Sequence, residues 1–331
     1  MSAGLPPRAL RRLVIDPLWV PVAAALAAVL VVAAVLATIA APITPRRRVL
    51  RIAALGLVYL WLDVKLVLVS LALWLRHPVR HDEQWLDRHA ALLGSALTTL
   101  LAASGRLLGY RVEVDRLPVG DDRPLVVLAR HAGPGDSFSL VQLLTTRLVR
   151  RPVVVLKAAL QWDPGVDIVL NRLRGCFLPS GTGAGDDRVE MIADAAGRLI
   201  PGDALLLFPE GGNWTPRRHR RAVIRLMRAG LRRQAAQARD HPRVLPPRPA
   251  GTIATLQSCP QADVLVVVHT GLDTLVNPAQ MWAAIPLRDR PMRVSGWLCP
   301  AASVPRDAEK TQRWLEVQWA RVDEWVAAER S

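Results

Sequence analysis

The stretch LVVLARHAGPGDSFSL, residues 125–140, sets His131 and Asp136 five positions apart, where an apolar run gives way to glycine and proline. An imidazole beside a carboxylate is the pairing that general-base catalysis needs. The carboxylate holds one ring nitrogen as N–H and leaves the other to take a proton. A turn that merely contains both residues is the competing reading, and the same H-x4-D spacing recurs in HPVRHD, from His77 to Asp82. The surroundings differ. Residues 125–129 read as a buried strand, so His131 and Asp136 fall at its C-terminal end, where ligands bind in open α/β sheets. With Pro134 opening a helix, Asp136 lies in the first turn and folds back on the imidazole Nδ1–H. The His77–Asp82 pair follows a membrane segment and precedes a plain helix.

A second polar, glycine-rich turn ends another apolar run in ALLLFPEGGNWTPRRHRR, residues 204–221. Bare backbone N–H groups in such a turn, followed by arginines, are the ingredients of a phosphate cradle. The helix expected over 217–239 carries nine arginines, which read either as a solvated face or as a patch for anionic headgroups or CoA phosphates. The glycines of GTGAGDD, residues 181–187, lack the ending of a P-loop and the spacing of a dinucleotide fingerprint, and read as a flexible turn. Cys176, Cys259 and Cys299 are far apart and form no C-x-x-C pair. Neither a zinc site nor a disulfide framework is indicated, and a reducing compartment is expected.

The elements that must position these residues can be read along the 331-residue chain. Half of it, 51%, is apolar, and the excess lies near the N-terminus. Residues 18–43 carry no charge and are long enough to cross a bilayer, too long for a secretory signal. A second apolar run, 52–75, is interrupted by Asp63 and Lys65; it pairs with the first as a two-helix hairpin or lies partly in the interface. Arginines flank every end, and counting them favours both ends of the hairpin on the cytoplasmic side by six to four. Residues 83–109 read as an amphipathic helix, with Leu86, Leu93, Leu97, Leu100 and Leu101 on one side. Beyond it, YRVEV, PLVVLA, PVVVL, CFL, ALLLF, DVLVVV and MRVSGWL read as strands, separated by helices such as 186–199 and 217–239. Leu315, Trp319, Val322 and Val326 form a core stripe on a last helix, 306–329. The expected fold is α/β, a mostly parallel sheet sandwiched by helices. The membrane hairpin occupies 1–80 and the catalytic domain 81–331.

Four motifs in order, H-x4-D, G-x-F-L, F-P-E-G and a proline-rich segment, resemble the glycerophospholipid acyltransferase family, which includes the 1-acylglycerol-3-phosphate acyltransferases. The resemblance covers about residues 108–270. RHAGPGD looks like its catalytic motif, VVVLKAALQWDPGV its lysine-bearing segment, GCFLPSG its second motif, FPEGGNWTP its third and RVLPPRPAG its fourth, in a P-R-x-x-G variant. It implies that His131 is the general base toward an acceptor hydroxyl and Asp136 its orienting carboxylate. Gly133 and Gly135 would offer backbone N–H groups to the oxyanion, and Lys157 would assist the oxyanion or the leaving thiolate. Glu210, Gly211 and Arg248 match acceptor-binding positions. Where the family has arginine at the end of the second motif this chain has Ser180, and where the third motif continues with threonine and arginine it has Gly212 and Asn213. Arg174, Arg217 and Arg218 stand near enough in sequence to compensate, or the acceptor differs from lysophosphatidate.

The reaction so implied moves a fatty acyl group from acyl-CoA or acyl carrier protein to a lysoglycerophospholipid hydroxyl, giving phosphatidic acid if the acceptor is 1-acylglycerol-3-phosphate. A different acceptor, or a non-catalytic lipid-binding module, is the alternative. The enzyme is expected to be integral to the cell membrane with its catalytic domain in the cytoplasm, to partner membrane lipids and acyl-CoA, and to need no metal or redox cofactor. The net charge of +15 also raises a nucleic-acid binder, but no zinc spacing, helix-turn-helix or RNP pattern supports one. A serine hydrolase would want G-x-S-x-G, which is absent.

Overall fold

Seven short runs rich in valine and leucine become seven strands: β1 (Val112–Arg116), β2 (Leu125–Ala129), β3 (Arg151–Lys157), β4 (Cys176–Leu178), β5 (Asp203–Leu207), β6 (Asp263–Thr270) and β7 (Met292–Cys299). They form one sheet in the order β1-β7-β6-β2-β5-β3-β4. All neighbours run parallel except β6 and β7, which are antiparallel. Every residue of the central strands β2, β5 and β6 is buried. That is why their sequences are continuous apolar runs rather than alternating ones. The computed structural model describes residues 5–39, 47–77, 82–118, 120–133, 135–179, 185–273, 275 and 277–330.

Helices cover both faces. On one lie α1 (Arg8–Ile39), α2 (Arg47–Arg76), α3 (Glu83–Leu108), α4 (Asp136–Thr146) and α5 (Pro164–Arg172). The others are α6 (Gly185–Gly197), α7 (Pro216–Arg228), α8 (Arg232–Asp240), α9 (Pro249–Ser258), α10 (Pro278–Ala283) and α11 (Ala308–Ala328). Strand alternation divides the core in two. Val127, Ala129 and Leu206 pack under α3 and α4, while Val126, Leu128 and Leu205 pack with Ile192 of α6, Leu256 of α9 and Trp319 of α11.

The single helix expected over 217–239 is two helices. Gly230 takes a left-handed φ of 75°, which no α-helix carries through, and the chain turns there from α7 into α8. At the other end, α1 begins at Arg8, ten residues before the expected start. Its charged first turns are helical because they have partners: Arg11 forms a two-pronged pair with Asp167 of α5 at 3.1 and 3.2 Å, and Arg12 reaches Asp16 and Asp167, each at 2.9 Å. Leu30 of α1 packs on Gly56 of α2.

The second helix lies along the α/β unit. Arg48 donates to the Ile285 carbonyl at 2.9 Å, Tyr59 bonds the Asp163 carboxylate, and Arg172 donates to the Ser70 carbonyl. From Arg48 to Ser70 is roughly 33 Å of helix. Of the described helices, α1, α2 and α3 are each long and apolar enough to cross a membrane, so the helix read as merely amphipathic joins the two of the hairpin. The expected boundary near residue 80 lies outside the described residues.

Candidate active site

The buried run of β2 ends at Ala129, and the chain leaves the sheet through Arg130 and His131 before α4 begins. Gly135 caps α4 with φ 82°, a conformation that favours glycine, and its missing Cβ faces open space. Pro134, expected to open this helix, lies outside the described residues. Asp136 is the first helical residue and is only 2% exposed. Its Oδ2 accepts from His131 Nδ1 at 2.9 Å and from the Ala132 N–H at 2.9 Å, and its Oδ1 accepts from the Ser137 N–H at 2.6 Å and the Ser137 hydroxyl at 3.2 Å. Burial alone would push this carboxyl up. The hydrogen bond from His131, the electrostatic pull of the His269 and His131 rings and the Ala132 amide outweigh it, and the group stays below its ordinary value.

A carboxylate so saturated can only accept, so Nδ1 of His131 carries the proton and Nε2 has a free lone pair. The ring lies against Phe208, with centroids 4.3 Å apart, and keeps 23% of its side chain exposed. Among the described residues Nε2 has no hydrogen-bond partner. The Ala132 N–H is already taken by Asp136. At Gly133 a Cβ would meet Leu272 Cβ at 3.0 Å, so that turn is held tightly against the loop after β6.

Two residues that sequence reasoning missed hold the turn from beneath. Arg130, completely buried, donates to Asp273 Oδ2 at 2.8 Å, the His269 carbonyl at 2.7 Å and the Arg243 carbonyl at 2.7 Å. His269, 2% exposed at the end of β6, sets Nε2 2.8 Å from the Arg130 carbonyl and 3.5 Å from Asp136 Oδ2. A carbonyl only accepts, so this ring donates from Nε2; burial pulls its pKa down against the Asp136 charge. The signal was present: VVVHTG is an apolar strand running into a histidine and a glycine, as LVVLARHAG is. From the far end of the chain, Arg330 reaches Asp273 Oδ2 at 2.5 Å and lies over the ring of Trp214, the residue whose backbone N–H donates to the His131 carbonyl at 2.6 Å.

The second glycine turn follows β5. Glu210, grouped with acceptor-binding positions above, faces inward. It is 2% exposed, and its Oε1 accepts from Trp319 Nε1 at 3.2 Å and the Leu245 N–H at 3.4 Å. Burial pushes its carboxyl up to about 8, against the Arg130 charge and these hydrogen bonds. Gly211, at φ 66°, brings the turn so close to Arg248 that a Cβ would meet its side chain at 3.2 Å. Burial lowers the pKa of Arg248, helped by the charges of Arg225 and Arg188, so three guanidiniums gather near this turn. Arg218 is tied to the Asn213 carbonyl at 3.0 Å, and Arg217 is exposed on α7. Ser180 lies outside the described residues.

Lys157 ends β3. The strand registers through β5 set it level with Arg130, two strands away, or roughly 10 Å at ~4.8 Å per strand. Alternation gives its side chain to the face of Val153 and Val155, the α6–α9 side. His131 and Asp136 are thus brought into contact, as are Gly211 and Arg248, while Lys157 stands on the same sheet edge apart from both. Among the described residues, no group of three or more His, Cys, Asp or Glu side chains is placed to hold a metal ion.

Beside the His131 turn, an almost wholly apolar cavity of about 440 Å³ opens between Ile52 and Tyr59 of α2, Leu101 of α3, Gly135, Phe138 and Leu275. Gly135, next to Asp136, is where cavity and turn meet.

Residues 111–251 match the protein-family model described as Acyltransferase, a span that contains His131, Asp136, Lys157, Glu210 and Arg248. No curated protein matches the chain. Among solved structures the chain is similar to the crystal structure of the 1-acyl-sn-glycerophosphate (LPA) acyltransferase, PlsC, from Thermotoga maritima. The TM-score is 0.53 and the identity 17%, over 85% of this chain and 98% of that one. At that identity the likeness is one of fold: a mostly parallel sheet with helices on its faces.

Proposed function

We propose that the chain, whose residues 111–251 match the Acyltransferase family model, is an acyltransferase that moves a fatty acyl group from a thioester to the hydroxyl of a membrane glycerolipid. The observation that carries this is the 2.9 Å contact of His131 Nδ1 with Asp136, in a turn whose Gly135 lines an apolar cavity. His131 Nε2 takes the proton from the acceptor hydroxyl as its oxygen attacks the thioester carbonyl. Asp136 holds the tautomer and stabilises the imidazolium. The tetrahedral intermediate collapses, the C–S bond breaks, and His131 returns the proton to the departing thiolate. Because Asp136 takes the Ala132 N–H, the Gly133 and Gly135 N–H groups are the turn's remaining candidates for the oxyanion.

The cavity takes the acyl chain, since a lining with so little polar surface rejects a headgroup. The charged end lies by the Gly211 turn, where Arg248, with Arg188 and Arg225 near it, receives a phosphate. Arg217 and Arg218 supply outer positive charge, and Lys157 serves the donor's phosphates or leaving thiolate from the α6–α9 side. Glu210 acts by bracing the turn from within rather than by touching the acceptor. The acceptor class is lysoglycerophospholipid, with 1-acylglycerol-3-phosphate, the acceptor in the name of PlsC, as the first candidate. The donor is acyl-CoA or acyl carrier protein, no metal or redox cofactor takes part, and the site works at the cytoplasmic surface of the cell membrane.

The exposed apolar side of α1, with Leu13, Val29 and Leu36 more than half exposed, enters the bilayer while α2 stays against the α/β unit. The test is acyl transfer by the purified chain from labelled acyl-CoA to a panel of lysolipids, with His131→Ala in parallel. Labelled diacyl product that vanishes in the variant supports the reading, and the preferred lysolipid identifies the acceptor. Equal product from both proteins removes His131 as the base.

A further inference from the structure

The arginine-rich segment after the Gly211 turn is not used up by acyl transfer. Between Gly211 and Arg239 the chain has nine arginines and no acidic residue. At about 100° per residue, Arg217, Arg220, Arg221, Ile224, Met227 and Arg228 of α7 fall within an arc of roughly 120°. Ala222 and Val223, on the other side, are buried against the protein. Ile224 is 44% exposed and Met227 42%, and Leu231, just past the helix end, is 45% exposed. Among the described residues none of the four arginines on this arc pairs with a carboxylate.

A solvated face has no use for two large apolar side chains set between four guanidiniums, and four guanidiniums with no carboxylate among them call for an anionic surface opposite. An interfacial helix wants both, apolar side chains entering the acyl boundary and arginines at the phosphates above. The geometry points to α7 as a second membrane contact: its Ile224–Met227 face docks on an anionic bilayer surface, with Arg217, Arg220, Arg221 and Arg228 on the lipid phosphates. This rests on the membrane association proposed above, though not on the acyl-transfer chemistry. The contact bears on the active site because α7 starts at Pro216, two residues after Trp214, whose N–H holds the His131 carbonyl. Docking α7 therefore fixes the strand-to-helix turn at the membrane surface, where an acceptor lipid arrives.

The experiment places a spin label at Met227→Cys, or separately at Ile224→Cys, in the full chain reconstituted in lipid nanodiscs. Of the native cysteines, Cys176 and Cys259 are buried. Collision with oxygen, which concentrates in lipid, is compared with collision with a water-soluble nickel chelate. In discs containing phosphatidylglycerol the oxygen-to-nickel ratio should be several-fold higher than in phosphatidylcholine discs. Arg220→Gln with Arg221→Gln should return it toward the neutral-disc value, each arginine counting for on the order of five-fold in surface affinity. A ratio that is the same in both discs overturns the proposal. So does a label that stays water-exposed in anionic discs but is immobilised by CoA alone, which would assign the face to the acyl donor. A chain that fails to enter discs, seen by size exclusion, sinks the membrane association and this contact with it. A chain that enters discs but makes no diacyl product leaves the label measurement fully readable.

Discussion

The two H-x4-D stretches carry the same residues at the same spacing and do different things. At 131–136 the histidine follows a buried strand, and its aspartate is 2% exposed and bonded to it at 2.9 Å. At 77–82 the histidine ends α2, and the exposed Asp82 accepts the Trp85 N–H at 3.0 Å as the cap of α3. Capping satisfies one orphan donor of a helix; it orients no imidazole. The difference teaches that an H-x4-D pair joins imidazole to carboxylate only where a sheet edge presents the histidine and burial forces the carboxylate to seek every donor near it.

The largest effect that breaks or keeps this contrast is on turnover. His131→Ala is expected to lose on the order of 10²- to 10⁴-fold in kcat with the fold intact, and His77→Ala to change it less than twofold. A comparable loss at His77, in the same assay, would reverse the assignment. Asp136→Asn sharpens the point. An amide N–H toward Nδ1 favours the tautomer with the proton on Nε2, and turnover should fall by about 10²-fold or more with substrate KM little changed. Asp82→Ala should instead cost about 1 kcal/mol of stability in denaturant melts, with kcat preserved.

Smaller effects probe the neighbours of the proposed base and its carboxylate. Asp136 and Glu210 are both buried acids in opposite charge states, one held ionised by four donors and the other pushed up to about 8 by burial. In the folded protein Glu210 keeps its proton up to about pH 8, whereas the unfolded chain releases it near 4.5. The stabilising contribution is therefore complete below about pH 4.5 and lost as pH rises toward 8. Glu210→Gln should flatten that part of a melting-temperature profile; an unchanged slope would place the titration elsewhere. Leu101→Trp, filling the cavity, should lower activity on the longest acyl donors several-fold and leave the shortest unaffected.

Much of this was legible in the sequence because local pattern carries it. All seven strands lie within about two residues of the expected runs, and the last helix, 306–329, is α11 at Ala308–Ala328. Where local pattern failed, the cause was a single backbone angle or a distant partner. Gly230 breaks an arginine-rich helix whose composition is unbroken, and the first turns of α1 are helical because Asp167, more than 150 residues away, receives Arg11.

The sequence by itself determined where the sheet edges lie, which turns carry histidine, carboxylate and glycine, and that residues 18–43 and 52–75 are apolar enough for a membrane. Burial imposes those patterns residue by residue, so they survive in one dimension. Only the tertiary structure decided which H-x4-D pair is joined, that Glu210 faces inward, that His269 and Arg130 sit beneath the turn, and that α2 lies along the α/β unit beside an apolar cavity. Each of these depends on groups tens to hundreds of residues apart meeting within about 3 Å, and chain closure, not spacing, sets such distances.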